Sequence, residues 1–442
     1  MSGKFYPYSD ALPDAEAQRA ADDQRLREQI TYLLRQSPFY RRKLREAGFE
    51  LENAIAGLGA LPDLPLTTKD ELRAAQAASP PFGDYLAAER AKIARVFSTS
   101  GTTGVPSYIP LTEKDAADWV TIGSRSYSRC GLAGASLVTT FNAGPFVAGM
   151  ALESIRNIGG MHIPVGTGNT HRLVTALRLL EPEALLCTYS YAIHIAEWAR
   201  EHDYDVRASN ISTVVVAGEP GGGEPEMRRT LEEMWNCKVY EAMGIGDIAA
   251  SLWAECPMQS GMHFSGAGYV LPELIDPENG KPVPMNDGAE GELVYTHLTR
   301  EAAPLLRFRS GDQVRVWSSP CDCGRDSLRV RCVGRIDDML IVRGVNVFPT
   351  AVRDVVNRFQ PRVNGVIAIR PAKTGVRQEP PLRVVVELAD GTAPSAELAS
   401  EIGAEIRSAL IFTADVRLVP ARTLPRSEYK SKLVDFSEIR QA

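Results

Sequence analysis

A layered α/β architecture is predicted by the alternation of short apolar runs with helical stretches between about residues 93 and 300. Glycine-rich segments follow two of those runs, after Phe97 and after Ala217, and ligands of parallel sheets sit beyond such strand ends. After Arg335, a last segment of about a hundred residues has the pattern of a small α+β domain. The 442 residues, 44% hydrophobic and 24% charged, are enough for two or more cores. We expect a large N-terminal domain over residues 1–336 and a small C-terminal domain over 337–442.

Residues 14–35 read as an amphipathic helix with Leu26, Ile30, Leu33 and Leu34 at helical spacing, and Pro38 is expected to end it. Thr67 or Thr68 should cap a later helix. Apolar runs at 93–97, 136–140, 184–188 and 213–217 predict strands, and 170–180, 192–201 and 224–235 predict helices. The pattern turns strand-like at 291–296 and 313–317, and again at 365–369 and 383–388, before a helix over 395–410. No internal repeat is visible.

A net charge of -6 gives no bulk attraction to nucleic acid or anionic membranes, so neither is expected as a partner. The N-terminus lacks the apolar run of a signal peptide, and no uncharged apolar stretch is long enough to span a bilayer, so a cytoplasmic location is expected. Seven cysteines, an odd number, argue against a disulfide framework. Cys130, Cys187 and Cys237 read as small buried hydrophobes. Cys256, His263, Cys321 and Cys323 form a set suited to structural zinc, with Cys332 in reserve; reduced, unliganded thiols are the alternative. His162, His171, His194, His202 and His297 share no motif and are assigned no role.

Ser98, Thr99, Ser100, Gly101, Thr102, Thr103 and Gly104 set hydroxyls around two glycines, a composition that can wrap phosphoryl oxygens or serve as a polar linker. No lysine follows, so the spacing is not that of a GxxxxGK[ST] loop, and Ser100 lacks a nucleophile-elbow frame. A second glycine-rich turn, Gly218-Glu219-Pro220-Gly221-Gly222-Gly223, follows a β-branched run. Asp247, after Met243-Gly244-Ile245-Gly246, suits magnesium against phosphate oxygens or a helix cap. Asp312, after a turn glycine and between strands, can accept both hydroxyls of a ribose. Arg335 and Asp337 open a long segment ending in Arg343-Gly344-Val345-Asn346-Val347-Phe348-Pro349. The cations of Arg426, Lys430 and Lys432 lie on a proline-limited loop and by composition would be surface charges.

Together and in this order these segments resemble the phenylacetate:coenzyme A ligase group of the adenylate-forming (acyl-CoA synthetase) superfamily, from about Leu33 to the C-terminus. The resemblance implies an adenylate-forming enzyme fold whose small C-terminal domain rotates on a hinge at Asp337. It makes Ser98 to Gly104 the mobile ATP phosphate loop, and Gly218, Glu219 and Pro220 the adenine-side wall. Asp312 would hold the ribose with Arg335 beside it, Asp247 the magnesium ion, and Gly344 would line the coenzyme A tunnel. An acid pocket is expected at Phe141, Phe146, Ala217, Met243, Gly244 and Ile245, and a homodimer is implied.

Two departures stand out. The group's Tyr-Gly-x-Ser/Thr-Glu loop is Met243-Gly244-Ile245-Gly246-Asp247 here, and its glycine before the adenylation lysine is Tyr429. The Pro-Arg-Ser-Glu-x-Lys frame favours Lys430 over Lys432 as that lysine. Relatives commonly carry an aromatic residue where this chain has Gly221, which implies a reshaped acid pocket. The implied reaction is ATP-dependent ligation of an aromatic or arylacetic acid to coenzyme A through an acyl-adenylate. Transfer to a carrier protein or an amine is one alternative; a noncatalytic nucleotide-binding or nucleotide-sensing protein is another.

Overall fold

The computed structural model describes residues 15–49, 57–98, 107–141, 149–166, 168–427, 431–437 and 439. The chain divides into two compact units, one of Met1–Gly166, Ala242–Ser310 and Val314–Val330, the other of Thr167–Glu241, Gly311–Gln313 and Arg331–Ala442.

In the first unit the helix Ala15–Gln36 buries Leu26, Ile30, Leu33 and Leu34, the predicted stripe. Pro38 does not simply stop it. Ser37 accepts the N–H of Tyr40 at 3.3 Å, and Pro38 takes the first position of a new helix, Pro38–Glu46, where its missing N–H costs nothing. Thr68 rather than Thr67 caps Lys69–Ala78, in a reciprocal capping box with Glu71. Thr67 is buried and donates its hydroxyl to the Leu306 carbonyl at 2.7 Å. A second capping box, Thr112 with Asp115, starts Glu113–Arg129. The buried Asp115 also accepts the N–H groups of Glu301 (2.7 Å) and Ala302 (2.9 Å), which ties the Thr299–Ala302 corner to the helix start.

Strands of this unit include the antiparallel pair Arg95–Ser98 and Tyr108–Leu111, and the parallel pair Ser136–Thr139 and Met161–Pro164. Val270–Ile275 and Glu290–His297 run antiparallel, as do Ala249–Ala254 and Met262–Phe264. Lys238–Ile245, Phe308–Trp317 and Arg329–Arg335 carry the chain from one unit into the other.

In the second unit, Ala184–Cys187 and Thr213–Ala217 pair in parallel and alternate with helices Thr170–Leu180, Tyr189–Glu201 and Pro225–Trp235. Leu185, Leu186, Val214 and Val215 are wholly buried, as a parallel strand covered on both faces requires. The C-terminal part has its own core. Val352, Val355 and Val356 of Pro349–Asn357 and Leu398, Ile402 and Ile406 of Ala396–Leu410 pack on Ile367, Ile369, Val384 and Val386. Those last residues belong to Val363–Arg370 and Leu382–Leu388, which pair antiparallel, and Ala414–Val419 adds a parallel third strand.

Candidate active site

The second unit holds all five residues predicted for the adenine and ribose. The strand Thr213–Ala217 ends at Gly218 (φ +90°), and the turn delivers Glu219 and Pro220 to a cavity of about 340 Å³. Gly334, Arg335 and Asp337 line the same cavity. Asp312 is buried, and its Oδ1 accepts from Arg335 Nη1 at 2.8 Å, while Arg335 Nη2 reaches Asp337 Oδ2 at 3.0 Å. Asp312 lies inside the strand Phe308–Trp317 rather than between strands. Gly311 before it has φ +75°, and a Cβ there would stand 3.1 Å from Arg335 Nη2, so glycine keeps the guanidinium against the carboxylate.

Gly221, the site of the expected aromatic, sits at φ +110°, and a Cβ would meet Met227 Cε at 2.6 Å. The glycine is therefore demanded by backbone and packing as well as by any ligand. Gly344 makes the exposed turn between Leu340–Val342 and Val345–Val347 with Arg343, both at positive φ.

Of the predicted surface cations, Lys432 is exposed, whereas Arg426 is paired rather than freely solvated. Arg426 lies between two carboxylates, Nε to Glu197 Oε2 at 2.8 Å and Nη2 to Glu387 Oε1 at 2.7 Å. Glu387, wholly buried, also accepts the N–H groups of Arg422 (2.8 Å) and Leu424 (2.8 Å) and the Asn364 amide (2.6 Å). Burial alone would raise its carboxyl, but Arg426 and these other donors together hold it below the usual glutamate range. Beyond the loop, Ser431 donates its N–H to Glu219 Oε2 at 2.9 Å, and its hydroxyl lies 2.6 Å from Ser190 Oγ. Lys430 itself lies outside the described residues, as do Thr99, Ser100, Gly101, Thr102, Thr103, Gly104 and Phe146. Ser98 closes the strand Arg95–Ser98.

In the first unit, Asp247 follows the strand Lys238–Ile245 and precedes Ala249–Ala254, so it caps no helix. Its Oδ2 is paired with Lys69 Nζ at 3.0 Å, a partner no local motif announces. Met243, Gly244 and Ile245 end that strand at a register shift, where a Cβ on Gly244 would stand 2.0 Å from the Ala250 carbonyl oxygen. Phe141 is buried beyond Ser136–Thr139, its N–H bonded to Thr139 Oγ1 at 2.9 Å. Ala217, in the second unit, is half-buried at its strand end.

Cys256, His263, Cys321 and Cys323 do converge, their ligand atoms all within 4.8 Å of one another. A tetrahedral zinc site, with about 2.3 Å to sulfur and about 2.1 Å to nitrogen, sets S···S edges of about 3.8 Å and S···N edges of about 3.6 Å. Cys256 and Cys321 sulfurs are 3.8 Å apart, and Cys323 Sγ is 3.5 Å from His263 Nε2. His263 Nδ1 contacts Ser327 Oγ at 2.6 Å, a bond of the kind that aims the opposite ring nitrogen at a metal. Cys332 stays outside the group, its thiol toward the Gly334 carbonyl at 3.8 Å. Cys130 and Cys187 are buried as expected, and Cys237 is only half-buried.

Sequence reasoning missed Ser190, Glu197, Arg353, Glu387 and Lys69. Arg353 stacks on the Tyr189 ring with 4.8 Å to its centroid and lines the Glu219 cavity. Ser190, Glu197 and Glu387 lie in no motif, and Lys69 and Arg353 lie just past the Thr68 cap and the Arg343–Pro349 segment without being part of either signal; only the Thr188 cap of the helix Tyr189–Glu201 marks where Ser190 would be presented.

Comparison with known proteins agrees with this arrangement. Residues 344–435 match the family described as AMP-binding enzyme C-terminal domain. The chain is 34% identical to the phenylacetate-coenzyme A ligase of Thermus thermophilus over 418 residues, 94% of this chain and 89% of that protein. It is 28% identical to the Escherichia coli phenylacetate-coenzyme A ligase over 93% of each chain. The crystal structure of 2-hydroxyisobutyryl-CoA ligase in the postadenylation state in complex with R3-HIB-AMP superposes with a TM-score of 0.87 at 28% identity, over 98% of this chain and 96% of that one. The chain belongs to the phenylacetate-coenzyme A ligase family of adenylate-forming, AMP-releasing acid–thiol ligases.

Proposed function

We propose that this protein joins an aromatic or arylacetic acid to coenzyme A in two steps. A carboxylate oxygen of the acid attacks the α-phosphorus of ATP and pyrophosphate leaves; the coenzyme A sulfur then attacks the acyl carbon, the acyl–phosphate bond breaks and AMP leaves. The observation that carries the nucleotide part is the cavity where Glu219, Pro220, Arg335 and Asp337 converge, with Arg335 bound to the Asp312 carboxylate. Asp312 suits a ribose diol because its carboxylate is held by a fixed cation, and so is oriented before the nucleotide arrives.

Adenylation brings two anions together, so charge on the phosphorus oxygens must be offset as it grows. Lys430 is the proposed cation for that step, on a segment anchored by Arg426 and Ser431. Ser98 to Gly104 would wrap the phosphates. Magnesium would add a second positive charge, and Asp247 offers it Oδ1, since Lys69 occupies Oδ2. Phe141, Phe146, Ala217, Met243, Gly244 and Ile245 would form the acid pocket.

For the second step we propose that residues 337–442 turn about Asp337 as a domain distinct from 1–336, bringing Gly344 to the pantetheine path. The Cys256, His263, Cys321 and Cys323 set would hold a zinc ion that braces the strand Met262–Phe264 and the turn before Arg329–Arg335, with no part in the chemistry. A cytoplasmic location, where ATP and coenzyme A are supplied, and a homodimer belong to the same proposal. Among the described residues no helix is long and apolar enough to cross a membrane.

A panel of aryl, arylacetic and aliphatic acids, scored for AMP release with and without coenzyme A, tests this reading. AMP release that needs both an aryl or arylacetic acid and coenzyme A is expected. Release indifferent to coenzyme A would favour an amine or carrier-protein acceptor, and no release with any acid would favour a nucleotide-binding role without catalysis.

A further inference from the structure

Glu219 does more than border a cavity. Its Oε1 accepts the N–H of Ser190 at 2.5 Å and its Oε2 the N–H of Ser431 at 2.9 Å. Ser190 is the second residue of the helix Tyr189–Glu201, and its N–H is one of the donors that a helix start leaves without an internal acceptor. Thr188 satisfies the next one, on Tyr191, at 3.3 Å. The Glu219 carboxylate is thus bound by one oxygen at the positive end of a 13-residue helix, and the other is presented to Ser431. The Ser190 and Ser431 hydroxyls, 2.6 Å apart, close the arrangement.

The same helix holds the segment a second time. Glu197 lies seven residues, two turns, beyond Ser190 and so on the same face, about 10 Å along the axis. There it takes Arg426 through two bonds, Nε to Oε2 at 2.8 Å and Nη2 to Oε1 at 3.1 Å. One helix face therefore fixes the chain at Arg426 and again at Ser431, and Lys430 stands directly before Ser431 in the sequence.

We infer that Glu219 is a positioning residue for adenylation: together with the Ser190 and Glu197 face of the Tyr189–Glu201 helix, it seats the segment that carries Lys430. The inference rests on the proposed role of Lys430. A carboxylate suits the task because it accepts at both oxygens. A glutamine offers one acceptor to two N–H donors and turns its own donor toward the other.

The test uses the full chain with phenylacetate as acid, in the wild type and in Glu219→Ala, Glu219→Gln and Glu197→Gln. Three quantities are read: acid-dependent ATP–pyrophosphate exchange with its kcat and KM for ATP, coenzyme A-dependent AMP release from synthetic phenylacetyl-adenylate, and hydrogen–deuterium exchange at Ser431. Positioning predicts that kcat for exchange falls on the order of 10- to 100-fold in Glu219→Ala, and less in the other two, while KM for ATP moves less than about threefold. AMP release from the preformed adenylate should fall much less than exchange, and the Ser431 amide should exchange faster.

A rise in KM for ATP without loss of kcat would make Glu219 a wall of the nucleotide site only, and overturn the inference. So would an equal fall in both half-reactions, or an unchanged Ser431 amide. If Glu219→Ala does not fold, Glu219→Gln and Glu197→Gln carry the same comparison. Absence of exchange in the wild type would count against the proposed function instead. Hydrogen exchange at Ser431 would then decide the seating alone, faster exchange supporting it and unchanged exchange overturning it.

Discussion

His297 is buried, and its protonation state is fixed by geometry. Its Nδ1 accepts the Leu305 N–H at 2.9 Å, so the proton sits on Nε2, which faces the Ile248 carbonyl at 3.2 Å. Burial, with Arg300 nearby, pushes its pKa down to about 3 from 6.5. Below pH 6.5 the unfolded chain therefore binds a proton that the folded chain refuses. The stabilisation is complete above 6.5 and shrinks as pH falls toward 3, by up to about 1.4 kcal/mol per pH unit. In His297→Gln both bonds can persist without a titrating group, so its urea midpoint should fall less between pH 7 and pH 5 than that of the wild type. Equal falls would show that this ring is not the cause. Nothing around His297 in the sequence signals its state, because Ile248, which supplies its acceptor, lies 49 residues away. Separation along the chain likewise hides Glu197 from any reading centred on Arg426, 229 residues further on. Asp312 and Arg335 are legible because each sits in a motif of its own.

Elements defined by one strong local signal are legible in the sequence, and those defined by their neighbours are not. Thr170–Leu180 matches its expected bounds to the residue, since its apolar face repeats at helical spacing and Asn169 caps it. Lys238–Ile245 and Ala249–Ala254 are missed because Gly244, Gly246 and Asp247 read as loop, whereas the glycine at 244 answers the close approach of the Ala250 carbonyl. The cysteine cluster is legible as a ligand set, but its closure depends on pairing between strands: His263 lies opposite Arg329 in the ladder that leads back to the Cys321 turn. Burial pushes the Cys256 thiol up, whereas at Cys321 burial is outweighed by hydrogen bonds from Ser260, Cys323 and Cys256, which hold it below the usual thiol range, so a bound cation would favour the thiolate form of the set. Purified protein should contain close to one zinc per chain by elemental analysis. Cys321→Ser should lose it and melt at least about 5 °C lower, because the bond energy of a structural site is folding energy. Metal-free protein with an unaltered melting point after chelation would dismiss the site.

Across the whole chain, the order of the motifs identifies the family where each motif alone is weak, and the chain covers nearly the full length of its relatives. If residues 337–442 take different arrangements for the two half-reactions, variants at either end of that segment should fail in opposite ways. Lys430→Ala removes the charge proposed to act on the α-phosphate, so adenylation should slow at least about 100-fold, with a smaller effect on coenzyme A attack upon synthetic acyl-adenylate. Asp337→Pro acts differently. Asp337 lies in the short turn Ile336–Asp338, its carboxylate bonded to Arg335 at 3.0 Å, and proline there locks a backbone angle that a hinge must change. It should slow the coenzyme A step at least about tenfold more than adenylation. Single-turnover measurements of the two steps in both variants give a crossed pattern if rotation links them. Parallel losses in both steps for both variants would mean that one fixed arrangement performs the whole reaction, with Asp337 an ordinary surface carboxylate.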